Sequence, residues 1–301
     1  VVDISVTAGP VQVVNVDNAA GTALMSVAGV GPIDKISKVS FAVWSQADQS
    51  DLVWYDVANN GTGTYQTTLN VNKHQYNIGT YNVDAYAFDI YGRSYFLSGS
   101  TCTFYVQQGQ IQVAGNTAQT EYTVSATNAV VPGGIETVKF AVWSAVNGQD
   151  DLVWYTATKS GTGSYVTTVP ILNHCSSGMY YVDAYAIRGN GVSKHIGGTT
   201  FQVDKIKAAS IEIKNIDDEK GQFDVVVDDF TSASGIWRIK VPVWSKDNQS
   251  NLYWYIAERQ SDGSYIAHVD IANHGYAYGN YNVDVYGTAG NGATEFLGGK
   301  S

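Results

Sequence analysis

The chain has 301 residues, and its 31 Gly, 21 Tyr and 15% charged residues favour strands and turns over helices. A chain of this length suits two or three domains. Its formal charge of −10 disfavours nucleic acid and anionic lipid as partners, because both would repel it. No apolar run approaches the ~20 residues that cross a bilayer, so membrane insertion is not expected. Residues 1–30 lack the basic start and apolar core of a signal peptide, and we expect a soluble fragment of a longer protein.

A block rich in aromatic residues recurs three times along the chain. It reads FAVWSQADQSDLVWY at residues 41–55, FAVWSAVNGQDDLVWY at 140–155 and VPVWSKDNQSNLYWY at 241–255. Each copy closes with a second block, which reads GTYNVDAYAFDIYG at 79–92 in the first copy. Self-similarity at a period of about 100 residues indicates three copies of one module.

Short apolar or alternating runs, separated by turn residues such as Asn60 and Gly61, fill the first copy. This spacing is typical of an immunoglobulin-like β-sandwich. We therefore predict an all-β protein built from three tandem immunoglobulin-like β-sandwich modules of about 100 residues each. The predicted strands of the first module lie roughly at residues 11–17, 22–30, 37–44, 51–58, 64–71, 80–89 and 94–106.

The repeated pattern restarts after residues 106 and 205, which predicts domains at residues 1–106, 107–205 and 206–301. The joints hold no flexible Gly/Ser tract, so we expect the modules to stand in a semi-rigid row. The third copy ends in EFLGGKS and lacks the FxV half-strand that closes the other two. We expect this shortened module to have a frayed edge.

Strand alternation predicts which side chains face outward. In residues 39–44 the odd-numbered apolar positions face the core and Trp44 faces out, while the late strand projects Asp84 and Tyr86. Leu52 and Trp54 alternate as core residues, so Tyr55 should face the same outer patch. The candidate ligand-binding residues are Trp44, Tyr55, Asp84 and Tyr86, with Trp143, Tyr155, Asp183 and Tyr185 in the second copy, and Trp244, Tyr255, Asp284 and Tyr286 in the third.

Exposed Trp and Tyr beside a carboxylate suit a sugar, because the rings cover its C–H surface while the carboxylate accepts hydrogen bonds from its hydroxyl or N-acetyl groups. In the alternative interpretation, the same residues form a small structural cluster under the loop at 45–51, with Asp84 capping backbone N–H groups. The sequence leaves both interpretations open.

Three loop histidines are secondary candidates for the site, although a lone loop histidine more often bonds the backbone. No second ligand stands near them at metal spacing, so neither a metal nor a cofactor is expected. Acidic residues near position 50 lack the glycine-centred pattern of a calcium loop. Cys102 and Cys175 occupy different positions of different copies, which favours free thiols. The three histidines are His74, His174 and His274.

No GxSxG, HExxH or P-loop pattern occurs in the chain. Three similar acidic positions in three modules are better explained by repeated binding than by repeated glycoside hydrolysis. We therefore expect a region that is not an enzyme.

Both repeated blocks resemble the GBS Bsp-like repeat, over Trp44 to Tyr55, Gly79 to Ala87, Trp143 to Tyr155 and Gly178 to Ala186. The resemblance covers nearly the whole chain. It implies a secreted, cell-wall-associated protein of Gram-positive bacteria, in which tandem repeats attach a peptidoglycan hydrolase or surface protein to the wall. The third copy departs from the pattern at Pro242, Asn251 and Val285, so unequal affinities are expected.

The sequence thus predicts a monomeric, non-catalytic region that binds peptidoglycan or an attached polysaccharide through several weak sites whose linkage raises the overall affinity. Two other functions stay open. One is an adhesin or protein-interaction array, and the other is a passive spacer.

Overall fold

The computed structural model describes residues 4–301, which form 22 strands and four 3-10 helices. Module 1 contains β1 (Gln12–Asp17), β2 (Thr22–Val27), β3 (Ile36–Trp44), β4 (Val53–Ala58), β5 (Tyr65–Asn70), β6 (Gly79–Asp89) and β7 (Ser94–Phe104). Module 2 contains β8 (Gln110–Gly115), β9 (Glu121–Thr127), β10 (Thr137–Ser144), β11 (Val153–Thr156), β12 (Thr158–Gly161), β13 (Ser164–Pro170), β14 (Gly178–Ile187) and β15 (Ser193–Val203).

Module 3 contains β16 (Lys207–Asp217), β17 (Gln222–Thr231), β18 (Arg238–Trp244), β19 (Tyr253–Arg259), β20 (Tyr265–Asp270), β21 (Asn282–Thr288) and β22 (Thr294–Lys300). The 3-10 helices span Ile33–Lys35, Val71–His74, Ile171–Asn173 and Ile271–His274. All seven strands predicted for module 1 are present, with ends that differ by a few residues.

Each module contains two groups of strands that pack around one core. In module 1 the sheet β1-β2-β5 packs on the sheet β4-β3-β6-β7, and module 2 repeats this with β8-β9-β13-β12 and β11-β10-β14-β15. In module 3, β19 pairs with both β18 and β20, so the two groups join into one seven-stranded sheet. The predicted all-β, immunoglobulin-like fold is confirmed, while the exact domain boundaries stay predictions.

The core of module 1 follows the predicted alternation. On β3, Val39, Phe41 and Val43 are fully buried, and on β6 the same holds for the alternate residues from Tyr81 to Ala87. Burying one such large apolar side chain contributes about 1.5–3 kcal/mol. The alternation predicted for these two strands is therefore correct, and their other side chains point away from the core.

The strand β4 faces the opposite way from the prediction. Its register pairs Tyr55 with Phe41 and Trp54 with Ala42, and residues paired across strands share a face. Tyr55 is 5% exposed and belongs to the core, whereas Trp54 is 49% exposed. The same reversal occurs in the other modules, where Trp154 and Trp254 are exposed and Tyr155 and Tyr255 turn toward the core.

A buried tyrosine and histidine connect β4 of module 1 to the 3-10 helix Val71–His74. The Tyr55 hydroxyl on β4 lies 2.9 Å from Nε2 of His74, and Nδ1 of His74 lies 2.9 Å from the backbone oxygen of Asp51. Because a carbonyl oxygen only accepts, Nδ1 carries the hydrogen and Nε2 accepts from the hydroxyl. The counterparts are Tyr155 with His174, and Tyr255 with His274. All three of these secondary candidates are buried inside their modules.

A second buried group fixes the loop that follows β3. The Asp51 carboxylate accepts from the backbone N–H groups of Ser45 and Gln46, each at 3.0 Å, and from the Asn77 amide at 3.1 Å. Burial alone would raise the pKa of Asp51, but these hydrogen bonds and that of the Ser45 hydroxyl lower it to about 2. The residue that caps the loop is therefore Asp51, and not Asp84 as in the alternative interpretation of the sequence.

The modules contact one another directly. Arg188 of module 2 is 2% exposed, donates from Nη1 to the backbone oxygen of Tyr76 in module 1, and lies 5.4 Å from the Tyr76 ring centroid. Between modules 2 and 3, the Asn291 side chain donates to the Ser176 hydroxyl at 3.0 Å. These contacts restrict bending at both joints. Cys102 and Cys175 are free thiols, as predicted.

We predict that Tyr55→Phe lowers the unfolding free energy of module 1 by about 1–3 kcal/mol, because it leaves Nε2 of the buried His74 without a donor. Urea denaturation followed by fluorescence measures the change. Tyr105→Phe is the matched control, because Tyr105 is 58% exposed. Equal stability of the two variants would contradict the role of the buried pair.

We also predict that stability falls as the pH drops below about 6.5. Burial lowers the pKa of His74 and of His174 below the ordinary value of 6.5, so the unfolded chain takes up protons that the folded chain resists. The urea midpoint should therefore decrease between about pH 6.5 and about pH 5, a range above the ordinary carboxyl pKa. The double variant His74→Gln/His174→Gln should show a smaller decrease. A constant wild-type midpoint over this range would disprove the linkage.

Candidate functional site

The outer face of the sheet β4-β3-β6-β7 carries three aromatic side chains in contact. The ring centroids of Trp54 on β4 and Tyr86 on β6 lie 5.5 Å apart, and those of Tyr86 and Phe96 on β7 lie 5.4 Å apart. Trp54 is 49% exposed and Phe96 is 58% exposed. We call such a set of three rings the aromatic platform of a module.

The same platform occurs in the other two modules. In module 2 the ring centroids of Trp154 and Tyr185, and of Tyr185 and His195, are each 5.3 Å apart. In module 3 the corresponding distances are 5.8 Å and 5.3 Å. The platforms are Trp54, Tyr86 and Phe96 in module 1, Trp154, Tyr185 and His195 in module 2, and Trp254, Tyr286 and Phe296 in module 3.

A small residue on the central strand lets the platform form. Ala42 of β3 pairs with Trp54 on one side and with Asp84 on the other. Although it points outward, Ala42 is only 3% exposed, because larger neighbours cover it. Ala141 occupies the same position in module 2, with Trp154 and Asp183 as partners, and Pro242 pairs with Trp254 in module 3.

Asp84 lies next to the platform, against a glycine on the neighbouring strand. A Cβ atom at Gly99 would come within 2.5 Å of Asp84 Oδ1, so a larger residue at this position would require the carboxylate to move. Gly198 and Gly299 stand in the same relation to Asp183 and Asp284, at 2.5 Å and 2.6 Å. The close approach of a glycine to the carboxylate is thus built into every module.

The carboxylate of Asp84 differs from that of Asp51 in having no donor. Within the described part of the chain, the side chains of Asp84 and Asp284 make no hydrogen bond or ion pair, while Asp183 lies 3.3 Å from His195 Nε2. Burial raises the pKa of Asp84 and of Asp284, because partial desolvation disfavours the charged form. A partly desolvated carboxylate without a partner is a strong hydrogen-bond acceptor for a ligand.

Trp44 lies on the same outer face, beside Asp84 along the strands. It pairs with Asn82 and is half-buried. In module 2 its counterpart Trp143 stacks on Tyr181 at a centroid distance of 5.5 Å, and Trp244 pairs with Asn282 in module 3. The structure therefore brings the predicted Trp44, Asp84 and Tyr86 to one face, together with their counterparts, but not Tyr55, Tyr155 and Tyr255.

Two rings of each platform are not among the residues that the sequence predicts for the site. The alternation of Leu52 and Trp54 predicts that Trp54 and its counterparts lie in the core, but every residue from Leu52 to Tyr55 is apolar or aromatic, so either alternate set can be buried. Phe96, His195 and Phe296 are also absent from the predicted site, although each follows the platform tyrosine by ten residues. That constant spacing was the available sign of a third ring.

The charged groups around the platform differ between modules. In module 1, Lys38 is bound to Asp56 at 2.8 Å, and the Ser40 hydroxyl donates to the same carboxylate at 2.6 Å. In module 2, Lys139 pairs directly with Tyr185. Lys240 pairs with Tyr286 in module 3.

Other types of site find less support in residues 4–301. These residues contain no group of three or more His, Cys, Asp or Glu side chains that could hold a metal, and no helix with the length and hydropathy of a membrane span. A cavity of about 330 Å³ in module 3 lies away from the platform, beside Phe223 and Tyr281. The module 1 counterpart of Tyr281 is Tyr81. The ring centroid of Tyr81 lies 5.4 Å from that of Phe104, a core residue on β7. This cavity is therefore part of the core edge, and the platform is the better candidate for a binding surface.

Comparisons with solved structures find tandem β-modules with little sequence identity. A tetra-tandem repeat in the extending region of a large adhesion protein is 20% identical, with 97% of this chain and 74% of that chain covered and a TM-score of 0.39. A structure reported for host cell surface retention of a 1.5-MDa bacterial ice-binding adhesin is 14% identical, with 97% and 94% covered and a TM-score of 0.26. These TM-scores support no conclusion about function. No curated protein sequence matches the chain.

The family comparison is more informative. The GBS Bsp-like repeat matches residues 12–102, 111–201 and 212–301, so each match falls in one module and together they cover most of the chain. This confirms the resemblance seen in the two sequence blocks and supports a repeat region with a non-catalytic role. The chain belongs to the GBS Bsp-like repeat family and consists of three tandem copies of that repeat.

Proposed function

We propose that the chain binds bacterial cell-wall glycan, either peptidoglycan or an attached polysaccharide, through the aromatic platforms of its modules. The observation that carries this proposal is the Asp84 carboxylate, which has no partner within the described residues and lies beside the exposed platform rings. The same arrangement around Asp284 in module 3 makes an accidental cluster a poor explanation.

The chemistry of the platform fits a sugar ring. The faces of Trp54 and Tyr86 cover the apolar C–H surface of a pyranose, and the Asp84 carboxylate accepts from its hydroxyl or N-acetyl N–H groups. A purely structural cluster would bury its largest ring, whereas Trp54 stays 49% exposed. Contiguous exposed apolar rings with a polar group at their edge mark a surface that meets a partner.

The open sheet face favours weak individual sites, and the linkage of the modules compensates for this weakness. Once one platform is bound, the next is held at a raised effective concentration, which can increase overall affinity by about a hundredfold or more if the spacing fits the polymer. The contacts of Arg188 and Asn291 at the joints limit the orientations that the modules sample. In this proposal the region attaches a secreted hydrolase or surface protein to the wall.

We predict that Trp54→Ala, Trp154→Ala and Trp254→Ala together abolish retention on purified cell walls without unfolding the modules, because all three side chains are about half exposed. Each additional substitution in the single and double variants should lower the affinity by a further factor, as expected for linked sites. Wall pull-down measures retention and circular dichroism checks the fold.

Trp237→Ala is the matched control, because Trp237 is 60% exposed but lies outside the platform. Full retention of the triple variant would overturn the platform as the binding surface. If the wild-type chain ignored walls but bound a host protein, an adhesin would be supported, and if it bound neither, a passive spacer.

We further predict that Asp84→Asn and Asp284→Asn each weaken glycan binding about tenfold. The amide keeps the size of the carboxylate but loses the charge, and a hydrogen bond to a charged group contributes about 1.5–3 kcal/mol. Isothermal titration with a soluble wall oligosaccharide measures the loss. Asp56→Asn is the control, because Asp56 is already bound to Lys38 and Ser40. Equal effects at all three positions would contradict a special role of the unpaired carboxylates.

A further inference from the structure

Module 2 has a histidine where modules 1 and 3 have a phenylalanine. His195 lies edge-on to Tyr185 at a centroid distance of 5.3 Å, in the position that Phe96 and Phe296 occupy on their tyrosines. Its Nε2 is 3.3 Å from Asp183 Oδ1, and the side chain is 47% exposed. The third ring of this platform is therefore able to carry a proton and a charge.

A lysine stands on the other side of the same tyrosine. Lys139 on β10 is the direct partner of Tyr185 on β14, and His195 on β15 is its direct partner on the opposite side. Strands lie about 4.8 Å apart, so the backbones of Lys139 and His195 are separated by about 10 Å across the tyrosine. In module 1 the equivalent row is Ser40, Tyr86 and Phe96.

The local charge consequently differs between the platforms. In module 1 the pair of Lys38 and Asp56 is neutral, so Asp84 leaves the platform negative. In module 2 the charges of Lys139 and Asp183 cancel, and a proton on His195 makes the platform positive. In module 3 the charges of Lys240 and Asp284 cancel, and the third ring, Phe296, cannot carry a charge. The charge of −10 on the whole chain does not decide this, because screening acts over about 8 Å at physiological ionic strength.

Other groups around His195 leave one ring nitrogen available. Asp183 and Tyr185 face it from β14, Lys194 precedes it on β15, and the Gln108 amide donates to its backbone oxygen at 3.4 Å. Within the described part of the chain, Nδ1 of His195 has no hydrogen-bond partner. Protonation therefore holds Nε2 on Asp183 and gives Nδ1 a hydrogen that points to no acceptor in the protein.

We propose that module 2 recognises an anionic substituent of the wall polymer, a phosphate or a carboxylate, and binds it more tightly when His195 is protonated. Lys139 and His195 lie on opposite sides of Tyr185. The ammonium of Lys139 and the Nδ1–H group of His195 therefore contact the anion from two sides. This inference rests on the proposed function of the platforms. It also assigns different ligand groups to the modules, since the platform of module 1 repels an anion.

The test uses the full chain with a single working platform. The variant Trp54→Ala/Trp254→Ala keeps only the platform of module 2 intact and is called the module 2 variant. The variant Trp154→Ala/Trp254→Ala keeps only the platform of module 1 intact and is called the module 1 variant. Binding to poly(glycerol phosphate) and to a neutral N-acetylglucosamine oligomer is measured at about pH 5.5 and about pH 7.5, within the range over which histidine acts as a pH switch in proteins. The module 2 variant should bind poly(glycerol phosphate) about fivefold more tightly at the lower pH, as one added charge at contact distance in water implies.

Substitutions at the third ring serve as matched controls. His195→Phe in the module 2 variant should remove the pH dependence. Ser40→Lys/Asp56→Thr/Phe96→His in the module 1 variant should create it, because these changes rebuild the module 2 row of Thr156, Lys139, Tyr185 and His195 and remove the carboxylate that would pair with the new lysine. Unchanged pH dependence in His195→Phe would overturn the proposal, and so would equal binding of poly(glycerol phosphate) by the module 2 variant at both pH values.

Two further comparisons distinguish a phosphate ligand from a carboxylate ligand, and a failure of this inference from a failure of the proposed function. Walls stripped of teichoic acids keep the carboxylates of peptidoglycan but lose the phosphates, so pH-dependent retention on stripped walls identifies the carboxylate and its loss identifies the phosphate. If the module 1 variant binds the neutral oligomer while module 2 shows no pH dependence, only this inference fails. If no variant and not even the wild type binds either probe or walls, the proposed function fails and this inference with it.

Discussion

The register of β4 against β3 decides both the core and the outer surface of each module. Pairing Tyr55 with Phe41 directs the tyrosine inward to His74, and the same pairing directs Trp54 outward over Ala42. Since side chains alternate along a strand, a slip of one residue would exchange these two faces. The slip would also leave the buried His74 ring without its donor, which is costly in a dry core. The buried pair therefore holds the platform tryptophan in place.

Two carboxylates of module 1 have opposite roles. Asp51 is saturated by backbone and side-chain donors, and its pKa of about 2 keeps it charged as the anchor of the loop after β3. Asp84 has no donor in the described residues, and burial raises its pKa. A saturated acceptor has nothing left to offer a ligand, whereas an unsaturated one at the surface gains from meeting a hydroxyl or N–H group. Hydrogen bonding, more than residue type, separates structure from candidate site.

The three copies share a buried tyrosine and histidine pair and differ on the outer face of the sheet. The tyrosine and histidine pair is present in every module, with distances between 2.9 Å and 3.0 Å. The outer face varies, with Phe96, His195 and Phe296 as the third ring, and Ser40, Lys139 and Lys240 beside the tyrosine. The third-ring position is exposed in every module and can change without loss of packing energy, so one scaffold can present three related but unequal surfaces.

The sequence by itself determined the triplication, the family resemblance, the strands of module 1 and the inward faces of β3 and β6. These followed because the repeats align and because apolar and polar residues alternate on those strands. Only the tertiary structure decided the orientation of β4, since Leu52, Val53, Trp54 and Tyr55 are all apolar or aromatic and either alternate set could face the core. It also decided which rings meet and which aspartate stays unpaired. Both depend on strand register and on contacts between residues far apart in the chain, including the shift in pairing between Ala85 and Tyr86 that places Phe96 beside the tyrosine.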